Sequence, residues 1–240
     1  AAALRACHED LETTIVAPYD ADFLPPLDTF DGAVFTGSSV DWSTDDDRAE
    51  PLRDVMRKVF EAGLPTLGSC NGMQLAASVL GGATDASPNG REDGFARDVR
   101  MTQAGQAHPL LKGREDGYAV PCIHRDEVTR LPEGAVVLAG NAHSPVQAMA
   151  YEQDGIRFWG MQYHPELDPA DLGPVLEELD LMPSDAAAEF ARVETDEVAA
   201  RSQGARPEDM APHVRMTELT NWLASLRGDM PRRFRQGWPM

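Results

Sequence analysis

The stretch that decides the fold is Pro65-Thr66-Leu67-Gly68-Ser69-Cys70-Asn71-Gly72-Met73-Gln74. Its first five residues predict a buried strand that runs straight into Cys70, and the pattern from Met73 to Leu80 predicts a helix. Glycines two residues before and two residues after Cys70 make room for a very sharp turn. This is the cysteine form of a nucleophile elbow, and it leaves the sulfur over a helix N-terminus, whose dipole favours a thiolate. The cysteine alone leaves a second interpretation open, an inert structural cysteine beside two packing glycines.

Short apolar runs alternate with helical patterns around this unit. Residues 13–17 and 33–36 predict buried strands, and residues 50–62 predict a helix that Gly63 ends. The alternation favours an α/β fold in which a mostly parallel sheet is covered by helices. From residue 95 to 163 the pattern changes to strands joined by turns, which indicates antiparallel hairpins on that side of the sheet. These strands are predicted at residues 96–102, 118–123, 135–139, 146–151 and 156–162.

The composition shifts to Ala, Glu and Asp beyond Pro165. Helices are predicted near residues 171–181, 185–201 and 207–226, and residues 1–7 also have a helical pattern. The last of these helices carries an apolar stripe, Leu219, Trp222, Leu223 and Leu226. Such a stripe must pack on the core of the chain or on a second copy of it, so a homo-oligomer is compatible with the sequence.

Charge and cysteine usage limit the function classes. The 240-residue chain has 40 Asp and Glu against 21 Lys and Arg, so its field at pH 7 repels phosphate backbones and anionic membranes. We expect neither nucleic acid nor a membrane as a partner, and no apolar run reaches the length that spans a bilayer. Cys7, Cys70 and Cys122 form no CxxC pair, which supports neither a disulfide framework nor a structural zinc site. We expect a reducing cytoplasm, with no metal and no other cofactor.

A base for the cysteine is available in Tyr163-His164-Pro165-Glu166, at the end of a predicted strand. Residues two apart in an extended segment point to the same side, so the Glu166 carboxylate can hold one nitrogen of His164 while the other faces the sulfur. By itself, a His-Pro-Glu sequence is more typical of a solvated loop. A nucleophile elbow elsewhere in the chain favours the catalytic interpretation.

Two places can supply N–H donors for the oxyanion that acyl transfer creates. Asn71 directly follows the nucleophile, and the turn Thr36-Gly37-Ser38-Ser39 follows another predicted strand. That turn by itself also fits an ordinary strand end. Together these residues indicate a cysteine amidase in which Cys70 attacks, His164 is the base and Glu166 orients the base.

Residues 31–166 resemble the class I (triad) glutamine amidotransferases, most closely the branch similar to the amidotransferase domain of GMP synthase. Five blocks in family order carry the resemblance. They are Phe35-Thr36-Gly37-Ser38, Gly68-x-Cys70-x-Gly72-x-Gln74, Gly90-Arg91-Glu92-Asp93-Gly94, the segment His124-Arg125-Asp126-Glu127-Val128 with the strand pair after it, and Gly160-Met161-Gln162-Tyr163-His164-Pro165-Glu166. Each block is weak alone, whereas five in order are specific.

The resemblance implies a flavodoxin-like amidotransferase domain over residues 1–166, with residues 167–240 as a helical C-terminal extension packed on the same domain. It implies the same catalytic roles for Cys70, His164 and Glu166. The implied oxyanion residues are Gly37, Ser38 and Asn71, and the implied substrate-binding residues are Gln74, His124 and Asp126.

Three features depart from the family pattern. The family's first strand precedes its first helix, and nothing before Ala1 supplies that strand here, so either the chain is incomplete at this point or the sheet lacks the strand. The oxyanion block has Gly-Ser-Ser in place of Gly-Gly-Pro or Gly-Ser-Pro, which predicts a looser loop. The tail after Glu166 is longer than the resemblance accounts for.

The leading functional hypothesis is a hydrolase that cleaves the amide of glutamine or of a γ-glutamyl compound through a Cys70 thioester. In the family, ammonia often passes to a synthetase, but the sequence shows no glycine-rich nucleotide-binding loop. The chain is therefore either a glutaminase subunit with a separate synthetase or a free-standing γ-glutamyl hydrolase. Two rivals stay open, a non-catalytic binding module of the same fold and a metallohydrolase using His164, Glu166 and His124. The second is disfavoured because neither HxxEH nor HxH spacing occurs.

Overall fold

A seven-stranded sheet forms the centre of the molecule. The computed structural model describes residues 1–20 and 23–229. The strands are β1 (Ala33–Phe35), β2 (Thr66–Ser69), β3 (Ala83–Ala86), β4 (Glu92–Met101), β5 (Tyr118–His124), β6 (Asp126–Arg130), β7 (Val136–Gly140), β8 (Ala148–Gln153) and β9 (Ile156–Met161). Seven of them form one sheet in the order β1-β2-β9-β8-β7-β4-β5, and β3 pairs with β6 in a separate two-stranded sheet.

Parallel pairing is confined to one side of the large sheet, where β2 lies between β1 and β9. The pairs from β9 through β8, β7 and β4 to β5 are antiparallel. The turn between β8 and β9 consists of Asp154 and Gly155, both at positive φ (54° and 80°), as a two-residue hairpin turn requires. The α/β class and the hairpin side are confirmed, although fewer of the described pairings are parallel than the sequence predicts.

Helices cover the sheet. They are α1 (Ala2–Cys7), α2 (Glu50–Glu61), α3 (Asn71–Val79), α4 (Gln103–Ala107), α5 (Pro169–Glu178), α6 (Ser184–Phe190), α7 (Glu197–Ser202), α8 (Pro207–Met210), α9 (Pro212–Arg215) and α10 (Thr217–Asp229). Gly63, at φ 67°, follows the end of α2 as predicted. Within the described residues, none of these helices combines the length and the apolar character needed to cross a membrane.

The strand predicted at residues 13–17 is wrong. This segment has no regular structure, and Ile15 is 78% exposed. The hydroxyl of Thr13 accepts hydrogen bonds from Arg5 of α1, so the segment folds back on the first helix and does not join the sheet. A β-branched run forms a strand only where a neighbouring strand pairs with it. Among the described residues, no strand precedes β1.

The C-terminal helices are shorter than predicted. The helix expected over residues 185–201 is two helices, because Asp196 accepts hydrogen bonds from the N–H groups of Val198 and Ala199 and so begins α7. The helix expected over residues 207–226 is three helices, and Pro212, which disfavours helix in the residue before it, separates α8 from α9. The short sheet of β3 and β6 was not predicted.

Both faces of the large sheet are buried. On one face, Met56, Val59 and Phe60 of α2 pack with Met73 of α3 against Phe158 of β9. On the other face, α10 packs its apolar stripe against the sheet. The buried members of this second cluster include Leu67, Trp159, Tyr163, Leu219, Trp222 and Leu223. Further apolar residues of the extension pack on β4 and β5 through Phe95 and Ala119. The division at residue 166 stays a prediction.

Candidate active site

Cys70 lies at the junction of β2 and α3 with φ 51° and ψ −108°, a conformation that non-glycine residues rarely adopt. The turn is held by its backbone, since the Cys70 N–H donates to the Met161 carbonyl oxygen at 2.7 Å. A Cβ atom on Gly68 would lie 2.7 Å from the Gly72 carbonyl carbon, and one on Gly72 would collide with the Phe35 carbonyl oxygen. The two glycines therefore permit β2 and α3 to meet closely enough for the sharp turn.

The side chain of His164 is oriented by Glu166. Its Nδ1 lies 2.7 Å from Glu166 Oε1, and the Ser69 hydroxyl donates to the same carboxylate oxygen at 2.9 Å. Burial lowers the pKa of His164, but the negative charges of Glu166 and Cys70 outweigh this effect and raise that pKa to about 10. Burial in turn raises the pKa of Glu166, and the nearby His164 charge outweighs it and holds that pKa below its usual value. The imidazole is thus a strong base with one nitrogen fixed.

The sulfur of Cys70 has two polar neighbours besides His164. The amide nitrogen Nε2 of Gln162 donates to Sγ at 3.5 Å, and Sγ lies 3.8 Å from the Ile123 carbonyl oxygen. Gln162 is fully buried, and its Oε1 accepts from Gln74 Nε2 at 3.2 Å. A row of buried amides therefore reaches from the sulfur to α3.

The three predicted oxyanion residues lie at the carboxyl ends of the parallel strands. Because β1, β2 and β9 run parallel, their carboxyl ends bring the oxyanion loop (residues 36–40), Cys70 and His164 together. A Cβ on Gly37 would lie 2.7 Å from His164 Cε1, so Gly37 faces the imidazole directly. Ser38 is exposed, and Asn71 is the first residue of α3.

The model of the glutamine amidotransferase class-I family matches residues 2–182. The chain belongs to the class I glutamine amidotransferase family. It is 38% identical over 184 residues to a γ-glutamyl-L-1-hydroxyisopropylamide hydrolase of a Pseudomonas species, covering 73% of this chain and 61% of that protein. It is 39% identical over 120 residues to the glutamine-hydrolysing GMP synthase of Thiobacillus denitrificans, covering 45% of this chain and 21% of the relative.

A solved glutamine amidotransferase from Methylobacillus flagellatus has the same fold, with a TM-score of 0.67 at 20% identity. The superposition covers 99% of this chain and 92% of that one. The chain spans about six tenths of the length of the hydrolase and about a fifth of that of the synthase.

The substrate loop predicted around His124 and Asp126 consists of the end of β5 and the start of β6. It lies beside Cys70, and its polar groups form hydrogen bonds with other residues of the chain. Gln74 Nε2 donates to the Asp126 backbone oxygen at 2.6 Å, and His124 Nε2 lies 2.9 Å from Glu92 Oε2. The Asp126 carboxylate forms two hydrogen bonds with Arg125. Gln74 and His124 thus hold the ends of β5 and β6 by internal hydrogen bonds, and their contact with substrate stays a prediction.

One buried cluster has the donor types of a metal site. Single ligand-type atoms of Glu92, Cys122 and His124 lie within 4.8 Å of one another in the described part of the chain. Each atom already has a protein partner, because His124 bonds Glu92 and the Cys122 thiol donates to the Glu92 backbone oxygen at 3.3 Å. Burial raises the pKa of the Cys122 thiol well above its usual value, which favours the neutral form. These contacts fit a hydrogen-bonded support for the loop. His164 and Glu166 of the rival metallohydrolase hypothesis pair with each other and not with His124.

Two residues that contact the predicted catalytic side chains were not singled out from the sequence: Ser69, which contacts Glu166, and Gln162, which contacts Cys70. Gln162 precedes His164 by two positions, so strand alternation predicts that both point to the same side. Ser69 is next to the nucleophile, and its contact with Glu166 crosses 97 positions of sequence, which no local pattern reveals.

Proposed function

We propose that this chain hydrolyses the γ-amide bond of glutamine or of a γ-glutamyl amine through a thioester on Cys70. The observation that supports it best is the continuous series of side-chain contacts from Gln162 through Cys70 and His164 to Glu166. Cys70 lies in a turn where only glycine fits at the positions two before and two after it. Such a nucleophile, base and orienting group act as one unit in acyl transfer.

In the proposed reaction the Cys70 thiolate attacks the γ-carbonyl carbon, and the carbonyl electrons move to oxygen. The N–H groups of Asn71 and of the oxyanion loop are the proposed donors for this oxyanion. When the tetrahedral species collapses, the C–N bond breaks and the His164 imidazolium gives its proton to the departing amine. Water then attacks the thioester and passes a proton to His164, glutamate leaves, and the thiolate is restored.

A free-standing γ-glutamyl amide hydrolase is the form of this activity that we favour. Its support is the relative that acts on γ-glutamyl-L-1-hydroxyisopropylamide, which matches 73% of this chain. The alternative is a glutaminase subunit that supplies ammonia to a separate synthetase, as the partial match to GMP synthases suggests.

The cellular location is also part of the proposal. The three cysteines are free thiols, and a cysteine nucleophile must stay reduced, so we propose a reducing cytoplasm.

The test is steady-state kinetics of the purified chain, following glutamate release from glutamine, γ-glutamyl-L-1-hydroxyisopropylamide and a set of γ-glutamyl peptides. We expect one γ-glutamyl amide to have a kcat/KM at least about tenfold above that of glutamine, because pocket contacts with a leaving group contribute selectivity of that order. Cys7→Ala is the matched control, since Cys7 is a free cysteine of α1 outside the site, and it should retain full turnover.

Two outcomes contradict the proposal in different ways. Trace rates on every substrate that rise only after addition of a cell extract favour the subunit with a separate synthetase. No glutamate release under either condition, together with no labelling of Cys70 by a glutamine-mimicking alkylating agent, favours the non-catalytic binding module.

A further inference from the structure

Arg215, on the C-terminal extension, bonds the backbone beside the catalytic pair. Its NH1 group donates to the carbonyl oxygens of Pro165 and Leu167, at 2.9 and 2.7 Å. These two carbonyls flank Glu166, the residue that orients His164. The guanidinium is almost fully buried and is itself held by Glu194, whose Oε1 accepts from Nε at 3.0 Å. A side chain 49 positions after Glu166 thus holds the carbonyl oxygens of the residues before and after it.

Residues 163–166 need such support because they lie beyond the end of the last strand. β9 ends at Met161, and the last strand-like contact is the His164 N–H bonded to the Pro121 oxygen at 2.7 Å. Proline has no N–H to donate, so position 165 cannot add a backbone donor to this turn. Carbonyls shielded from water are costly to leave without partners, and one nitrogen of the Arg215 guanidinium, NH1, satisfies two of them at once.

A second buried contact reaches the residue before His164. Tyr163 points to the opposite side from His164, and its hydroxyl donates to Glu218 Oε1 at 2.9 Å. Arg114 holds both oxygens of the Glu218 carboxylate at 2.9 and 2.8 Å, and the side chains of this ion pair are fully buried. Arg114 also donates to the Arg215 backbone oxygen at 2.6 Å, which joins the two contacts into one network.

We propose that Arg215 and Glu218 are positioning residues for the catalytic segment (residues 163–166), an inference that rests on the proposed function. Through Arg215 the extension fixes the backbone around Glu166, and through Glu218 it fixes the side chain behind His164. The extension is then part of the catalytic apparatus. Neither residue contacts the reacting atoms.

The first test compares Arg215→Met with Arg206→Met in the full chain. Methionine keeps most of the buried stem and removes every donor. Arg206 is the matched control, because it is also on the extension and forms ion pairs, with Asp209 and Glu115, but contacts none of residues 163–167. We expect Arg215→Met to lower kcat about a hundredfold with KM changed less than about threefold, since small displacements of a catalytic group have effects of that size. Arg206→Met should leave kcat within about twofold.

A double variant separates positioning from general destabilisation. If Arg215 acts through Glu166, then Arg215→Met should lower kcat by less than about threefold in a Glu166→Gln background. Arg215→Lys should recover part of the activity, because one ammonium group cannot serve both carbonyls and Glu194 together. The pH profile gives an independent readout, since displacement of Glu166 lowers the pKa of His164 and moves the alkaline limb of kcat to lower pH. Multiplicative losses in the double variant, or an unchanged pH profile, would overturn the inference.

Two further measurements keep the test decisive. If Arg215→Met does not fold, Tyr163→Phe removes the hydroxyl that contacts Glu218 and Tyr118, and should still lower kcat about threefold to tenfold without moving KM. If the wild-type chain releases no glutamate, the proposed function has failed, and the inference is then judged on iodoacetamide alkylation of Cys70 at pH 7. Slower alkylation in Arg215→Met than in Arg206→Met supports it, and equal rates refute it.

Discussion

The two sides of the site, here called the triad wall and the oxyanion loop, differ in burial and in how far apart in sequence their contacts reach. The triad wall, defined by Ser69, Cys70, Gln162, His164 and Glu166, is buried except for the Glu166 side chain, which is 26% exposed. Its side-chain contacts include pairs of residues more than 90 positions apart. The oxyanion loop (residues 36–40) is mostly exposed. Its side-chain hydrogen bonds are local: the Thr36 hydroxyl donates to the Gly37 carbonyl oxygen, and the Val40 N–H donates to the Ser38 hydroxyl.

This difference separates two requirements of acyl transfer. Proton transfer needs a base held at a fixed distance and angle, and the triad wall supplies this before any substrate arrives. The oxyanion loop, which we propose meets the substrate carbonyl, can adjust because its proposed donors are backbone N–H groups on a short exposed segment. Substitutions in the triad wall should therefore remove activity, and those in the loop should tune it.

The largest expected loss follows from Cys70→Ala, on the order of 10⁴-fold or more in kcat, because the nucleophile itself is removed. His164→Ala should be nearly as damaging, and the double variant no worse than either, since the two residues act as one unit. Turnover measurements on the three variants, with circular dichroism to verify the fold, check this. Peptide mapping of a glutamine-mimicking alkylating agent onto Cys7 or Cys122 would contradict the assignment.

Glu166→Gln should be milder, about a hundredfold in kcat, because the amide still accepts a hydrogen bond but carries no charge. The Glu166 charge is one of the two that raise the pKa of His164 to about 10. Without it that pKa falls, so the imidazolium that protonates the leaving amine is lost at lower pH. The alkaline limb of the kcat profile should move down, and a limb that stays in place would show that Glu166 does not set the His164 charge.

Much of the triad wall could be predicted because its signals are local. The Gly-x-Cys-x-Gly spacing predicts the turn from β2 to α3, and the two-residue spacing of His164 and Glu166 after the last strand predicts that these two side chains meet. Contacts made by tertiary packing left no such trace. The pairing of Ser69 with Glu166 and of Arg215 with Pro165 depends on where distant segments meet.

The same reason explains the errors in the fold. Residues 13–17 have the composition of a strand, but a strand also needs a partner, and this segment contacts α1 instead. β6 is the opposite case, a strand that the sequence does not predict. Its polar residues Asp126 and Glu127 disfavour a strand, but pairing with β3 forms one. The predicted C-terminal helices are too long because the sequence pattern does not reveal that Asp196 and Pro212 each begin a new helix.

Gly37→Ala tests the point where the two walls touch. The new Cβ would lie 2.7 Å from His164 Cε1, closer than real side-chain contacts, so the ring or the loop must move. Because the loop is exposed and can yield, we expect about a tenfold loss in kcat with little change in thermal stability. A loss as large as that of His164→Ala would mean that the loop is as rigid as the triad wall.

Ser38→Ala should have the smallest effect and is the control for Gly37→Ala. The Ser38 side chain is exposed, and the hydrogen bond that its hydroxyl accepts from the Val40 N–H is long at 3.4 Å. The substitution keeps the backbone N–H that the loop offers to an oxyanion, and surface changes of this kind alter stability by about 0.5 kcal/mol or less. Its kcat and KM should stay within about twofold of the wild type on the substrate with the highest kcat/KM. If Ser38→Ala instead loses as much as Gly37→Ala, the hydroxyl itself contacts the reacting group, and the loop contributes a side chain to catalysis as the triad wall does.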